Sequence, residues 1–204
     1  MKLLFNRWAA ISAVLMLGLS ACGDKSPNVI FETDAGQIEI EVYPKKAPLT
    51  AADFLYHVDE GLYDGQGFYR VVTPQTDPLD MGMSLIQGGR LDLVPVTPSV
   101  DHEGTNGSGL SNVTGSVAMA RDAVNTGSAA YFFINLDNNI FLDEGGERNP
   151  DGAGYAVFGR IISGLDVART IQSGDVAPST RLAGTENQFL QSPVTIKKAY
   201  RKSG

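Results

Sequence analysis

The chain has 204 residues, with 16 basic and 23 acidic side chains, a formal net charge of −7 and 43% apolar residues. That length suits one domain with a substantial core, and the ordinary apolar content argues against long disorder. The acidic balance argues against nucleic acid as a partner, because such affinity comes largely from neutralised phosphates.

In chain order, residues 1–21 read as an export signal. Lys2 and Arg7 supply a positive start, and Ala9 to Leu19 form an apolar stretch too short to span a bilayer. Leu19-Ser20-Ala21-Cys22 looks like a bacterial lipobox, a motif whose cysteine becomes the new N-terminus and carries the lipid. An ordinary signal peptide with an accidental cysteine is the other reading. Cys22 is the single cysteine of the chain, which excludes an intramolecular disulfide and zinc sites built from thiolates. Residues 22–27 then form a lipidated tether, leaving a folded domain over 28–204. Without Lys2 and Arg7, 14 basic residues face 23 acidic ones, a net charge of about −9. Gly23, not Asp, follows Cys22, which favours the outer membrane in a cell that has one; the protein would face the periplasm or cell exterior.

Val29–Thr33 and Gln37–Tyr43 alternate apolar and polar residues around Asp34-Ala35-Gly36, the pattern of a half-buried hairpin. Thr50-Ala51-Ala52-Asp53 reads as a capping box opening a helix that carries Phe54, Leu55, Val58 and Leu62 at helical spacing. Short β-rich runs follow at 68–72, 85–87, 116–120, 131–135 and 155–159, separated by Gly, Asn and Asp loops. A second helix is expected over Leu165–Gln172 and a last strand over Val194–Tyr200, with long loops at 73–83, 90–114 and 174–192. Many short strands with two isolated helices suit a mainly β, closed antiparallel barrel, which leaves no exposed edges.

Five ordered blocks carry a more specific signal: FYRVV at 68–72, LIQGG at 85–89, GSVAMARD from 115, AAYFFINLDNNIFLD from 129 and GYAVFGRIISG from 154. Together they resemble the cyclophilin-type peptidyl-prolyl isomerases, from about Asn28 to Tyr200. The resemblance implies an eight-stranded barrel with a helix over each end, rotation of X-Pro peptide bonds without metal or cofactor, and proline-containing polypeptides as partners. A single domain of this kind is expected to act as a monomer on folding of exported proteins.

The family carries its catalytic arginine at the position of Arg70. Alternation in Phe68-Tyr69-Arg70-Val71-Val72 puts Phe68, Arg70 and Val72 on one face, an unusual place for a guanidinium. A snorkelling or ion-paired Arg70 is the alternative. By the resemblance Gln87 contacts substrate backbone and Leu85 lines the proline slot. Plain core for Leu85 and a strand-end hydrogen bond for Gln87 are the other readings. Ala120 and Arg121 would run beside the bound main chain, with a solvated Arg121 equally open. Phe133 would form the slot floor, with Phe132 turned into the core, and Leu142 would line the slot. Tyr131 stands where the family has glutamine, Phe141 where tryptophan supports cyclosporin binding, and Tyr155 where histidine is common. Weak affinity for cyclosporin follows. Ser84 replaces a usual aromatic and is left out of the site; the segment before Leu85 is longer than the family norm, and Met83 could fill the space.

Other motifs carry less. His57 and His102 have no nucleophile elbow beside them, 104–109 is glycine-rich but lacks a phosphate-loop lysine, and Asn149-Pro150-Asp151-Gly152 is a turn. Two further function classes stay open: a module that holds proline-containing segments without turning them, and a scaffold that binds a partner through its long loops.

Overall fold

The computed structural model describes residues 26–92, 97–178 and 184–203. The expected export signal and Cys22 lie outside the described residues. Eight strands close one antiparallel barrel: β1 (Asn28–Thr33), β2 (Gly36–Val42), β3 (Gly67–Val72), β4 (Leu85–Gly89), β5 (Ser116–Met119), β6 (Tyr131–Asn135), β7 (Val157–Ser163) and β8 (Phe189–Arg201). Their order around the barrel is β1-β2-β7-β5-β6-β4-β3-β8, so the first strand pairs with the last. Helices α1 (Pro48–Asp59) and α3 (Leu165–Gln172) flank a single turn, α2 (Thr105–Ser108), in the stretch read from the sequence as a glycine-rich surface loop.

The inward face of each strand is apolar, and aromatic rings fill the barrel. Phe31 meets Tyr63 and Phe132 at 5.4 and 5.6 Å between ring centres, and Phe54 of α1 meets Phe158 of β7 at 4.7 Å. All five are fully buried. Rings of that size contribute about 1.5–3 kcal/mol each by burial alone, and tilted or edge-on contacts add to it.

The two long helices cover opposite ends. Asp53 of α1 accepts hydrogen bonds from Ala129 N at 2.7 Å and Ser128 Oγ at 3.3 Å, just before β6 begins. Arg169 of α3 donates to the carbonyl of Leu136, just after β6 ends, and Gln172 donates to the carbonyl of Val72 at the end of β3, each at 2.6 Å.

The start of α1 differs from the expected capping box. The helix opens at Pro48 after Ala47, so Thr50 sits within the first turn, buried, with its hydroxyl unbonded among the described residues. Glu103 caps it from a distant loop, accepting from Leu49 N at 3.0 Å and Thr50 N at 2.8 Å. Pro48 needs no such partner, having no N–H, and a carboxylate at this end suits the helix dipole.

His57 is fully buried with Nδ1 2.8 Å from the Asp53 carbonyl, and His102 Nε2 lies 2.9 Å from the Ala153 carbonyl. Both histidines are hydrogen-bonded structural groups. Burial alone would raise the pKa of Asp53, but hydrogen bonds from His57 and Ala129 N outweigh it and hold the carboxyl below its ordinary value.

Candidate active site

A β-bulge creates the site. Phe68 pairs with Gly88 and Arg70 with Gln87, so Tyr69 is the extra residue on β3. Phe68 and Val71 therefore both point into the barrel, while Tyr69, Arg70 and Val72 serve the outer face. The expectation that Phe68 shares a face with Arg70 is corrected by this bulge; Val72 does share it. Gly88, opposite Phe68, leaves room for the ring, since a Cβ there would lie 2.7 Å from it.

Neighbouring strands repeat the division. Ile86, Phe132 and Ile134 pack inside, whereas Leu85 and Phe133 pack outside with Val72, Met83, Ala118, Leu142 and Val157 in a second apolar cluster. This cluster forms the floor of an open cleft of about 510 Å³. Arg70, Leu85, Gln87, Ala120, Arg121, Tyr131, Phe133, Leu142 and Tyr155 all line it. Phe141 does not line it; it packs half-buried against the outer cluster, because the short 3-10 turn Ile140–Leu142 directs Leu142 inward instead.

That turn is fixed by buried polar groups. Asn139 donates to the carbonyl of Ser84 at 2.9 Å and to Asn135 Oδ1 at 2.7 Å, and Asn135 donates to Asn112 Oδ1 at 3.1 Å. Asn112 in turn donates to Asp143 Oδ1 at 2.8 Å. A fully satisfied network of this kind holds the backbone on either side of Leu142 in one arrangement. Ser84 is buried within it and also receives a bond from Gln172 at 3.0 Å, so its small size suits structure and not the cleft.

Arg70 is largely buried and clamped from two sides. Its Nη1 donates to Gln87 Oε1 at 2.9 Å, and its Nε and Nη2 donate to Gln188 Oε1 at 2.8 and 2.6 Å. Gln87 Nε2 donates onward to the Tyr69 hydroxyl at 3.0 Å. Burial draws the Arg70 pKa below its ordinary value, yet a guanidinium remains charged at neutral pH. Its direct partners are neutral amide oxygens, so the charge is held in place without being paired.

Arg121 is neither solvated nor free to swing. It donates to the Gly154 carbonyl at 2.8 Å and forks onto Asp151 at 2.7 and 2.9 Å, with its guanidinium 5.3 Å over the Tyr155 ring. The hydrogen bonds from Arg121 draw the Asp151 carboxyl down to about 2. Tyr155 stands edge-on to Phe133 at 5.3 Å, closing one side of the apolar floor. The Tyr131 hydroxyl is buried and makes no hydrogen bond among the described residues; burial, with Asp92 nearby, pushes its pKa up.

The geometry brings in residues that the sequence reading missed. Tyr69, Arg148 and Phe189 also line the cleft; Met83, which the sequence already offered for the space before Leu85, packs there. The long segment between β3 and β4 is ordered by Asp77, whose carboxylate accepts from Met81 N at 2.9 Å, Met83 N at 3.1 Å and Arg148 Nη1 at 2.6 Å. No local signal marks Gln188 or Phe189, which fall in a stretch taken for a loop; β8 starts several residues earlier than its alternation suggests.

Comparison with known proteins agrees with this geometry. The family described as cyclophilin type peptidyl-prolyl cis-trans isomerase/CLD matches residues 28–201. The chain belongs to that family. This cyclophilin-type isomerase is similar to peptidyl-prolyl cis-trans isomerase A of Dickeya dadantii, with 33% identity over 180 residues, covering 85% of this chain and 86% of that one. With a peptidyl-prolyl cis-trans isomerase of Acinetobacter baylyi the identity is 33% over 197 residues, covering 94% and 95%. Its fold is shared with a cyclophilin-type isomerase of Cryptosporidium parvum solved in the presence of the dipeptide Ala-Pro, with a TM-score of 0.64 at 20% identity over 87% of this chain and 99% of that chain.

Proposed function

We propose that this isomerase turns X-Pro bonds in the cleft between Arg70 and the Phe133 floor. The observation that carries the reading is a partly buried, charge-bearing Arg70 fixed by two neutral amides beside an apolar slot. Peptide C–N rotation faces a barrier of about 18–20 kcal/mol because resonance makes the bond partly double. On twisting, the imide nitrogen pyramidalises and regains a lone pair, and a donor aimed at it lowers the barrier without bond cleavage.

Met83, Leu85, Phe133 and Leu142 would receive the pyrrolidine ring, Gln87 and the strand edge at Ala120 would hold main chain, and Arg70 would favour the twisted state. Arg121, locked by Asp151, would shape the cleft wall beside Tyr155. Proline-containing segments of exported proteins are the proposed substrates, met by a monomeric domain held to a membrane through lipid on Cys22. The Leu19-Ser20-Ala21-Cys22 motif supports that placement, with the outer membrane favoured in a cell that has one. Phe141, standing for tryptophan outside the cleft lining, supports weak cyclosporin affinity.

Exchange spectroscopy by NMR on a proline-containing peptide tests the mechanism, since it reports rate and affinity together. Arg70→Ala is expected to slow isomerisation at least about tenfold, or ~1.4 kcal/mol of transition-state stabilisation, while peptide affinity changes less. Arg70→Lys should be impaired too, because a point charge cannot reproduce the planar fork. Binding without acceleration in the wild type would replace the enzyme reading with that of a holding module, and an Arg70→Ala protein as fast as wild type would remove Arg70 from the mechanism.

A further inference from the structure

Gln188 is fully buried and lies 118 positions along the chain from Arg70, yet it makes two of the three hydrogen bonds that fix the guanidinium. Its own orientation is determined elsewhere. Gln188 Nε2 donates to the carbonyl of Thr76 at 2.6 Å, and its backbone carbonyl accepts from Val71 N at 2.7 Å. With the amide nitrogen committed to a carbonyl, the side-chain oxygen is the end that can face Arg70. The segment between β3 and β4, which contains Thr76, thereby sets the angle of the arginine from outside the barrel.

The chemistry of the partner matters as much as its position. A carboxylate in place of Gln188 would also accept both N–H groups, but it would pair the charge in a poorly solvated site where such pairing is strong. It would also lose the donor that Thr76 requires. A neutral amide accepts the same bonds and leaves the positive charge available to the cleft.

We propose that Gln188 is a positioning residue for catalysis, locking the Arg70 guanidinium towards the bound prolyl unit without neutralising it. This rests on the reading of Arg70 as the catalytic donor. Gln188→Met keeps length and volume while removing the acceptor; Gln188→Glu keeps the acceptor and adds a charge. In the full chain, with the same proline-containing peptide, both variants should lower the rate of bound cis/trans exchange at least about tenfold, while the peptide Kd stays within about threefold. In an Arg70→Ala background, Gln188→Met should lower the rate no further, because the two residues act as one unit.

Equal losses with and without Arg70 would mean that Gln188 only supports the barrel, and the proposal would fall. It would also fall if Gln188→Met exchanged peptide at the wild-type rate while Arg70→Ala was slow, and the Arg70 reading would survive. An Arg70→Ala protein as fast as wild type would instead remove that underlying reading. A measurement on the wild type needs no variant: the Arg70 Nε–H should exchange with solvent far more slowly than the same group of exposed Arg169, and equal exchange would overturn the clamp.

Discussion

Phe133 is 4% exposed and touches the cleft with one face while its neighbours Phe132 and Ile134 fill the barrel. Its removal should therefore have two separable effects. Phe133→Ala is expected to cost stability, on the order of 3–5 kcal/mol for a buried ring, and to lower kcat/KM by weakening the hold on the pyrrolidine ring. Activity measured below the lowered Tm, on protein shown to be folded, separates the two; an unchanged kcat/KM there would exclude Phe133 from the slot. The faces taken by Phe132 and Phe133 were legible because strand alternation and block position agree. For Arg70 alternation alone misleads, since one extra residue at Tyr69 reverses the face on which Phe68 lies. Gln188 was illegible for a different reason: its partners are brought to it by closure of the barrel, and a lone glutamine in a polar stretch carries no periodic signal.

Between β3 and β4 the chain is organised around one carboxylate. Asp77 gathers the backbone N–H groups of Leu79, Met81 and Met83 and joins Arg148 from the segment after β6, which seats Met83 on the apolar floor. Burial would raise the Asp77 pKa, but hydrogen bonds from Met83 N and Arg148 outweigh it, and the folded value is lowered. A lowered folded pKa adds stability above the unfolded value of about 3.9 and loses it as pH falls through the folded one. Asp77→Asn should accordingly destabilise the protein most at neutral pH, and the gap to wild type should narrow below about pH 4. Urea midpoints from pH 2 to 7 check this; parallel curves for the two proteins would show that the Asp77 charge does not matter to stability. The first helix teaches a related lesson. Thr50 and Asp53 have the spacing of a capping box, yet the helix begins at Pro48 and Glu103, 53 positions beyond Thr50, caps it. Local pattern identified the element, while its end was decided by a residue from a distant loop.

At the scale of the molecule, the first strand β1 pairs with the last, β8, with Phe31 opposite Ala199 and Val29 opposite Arg201. Mainly β content and a closed antiparallel barrel were legible because each strand has one apolar face and no spare partner, so closure buries that face and removes both edges. The order of strands was not, since hydrogen-bond partners such as β2 with β7 lie far apart in sequence. The barrel core begins at Val29, seven positions after Cys22, which lies outside the described residues. Anchoring and folding should therefore separate cleanly. If Cys22 carries lipid, Cys22→Ser should move the protein from the membrane fraction to the soluble fraction while leaving its Tm and its cis/trans exchange rate unchanged, because Cys22 precedes the first barrel strand, which opens at Asn28. Mass spectrometry of the wild type should find an acylated Cys22 at the mature N-terminus. An unmodified N-terminus at another residue, or a Cys22→Ser protein that still sediments with membranes, would rule out the lipid anchor and leave the isomerase barrel as a separate, still testable unit.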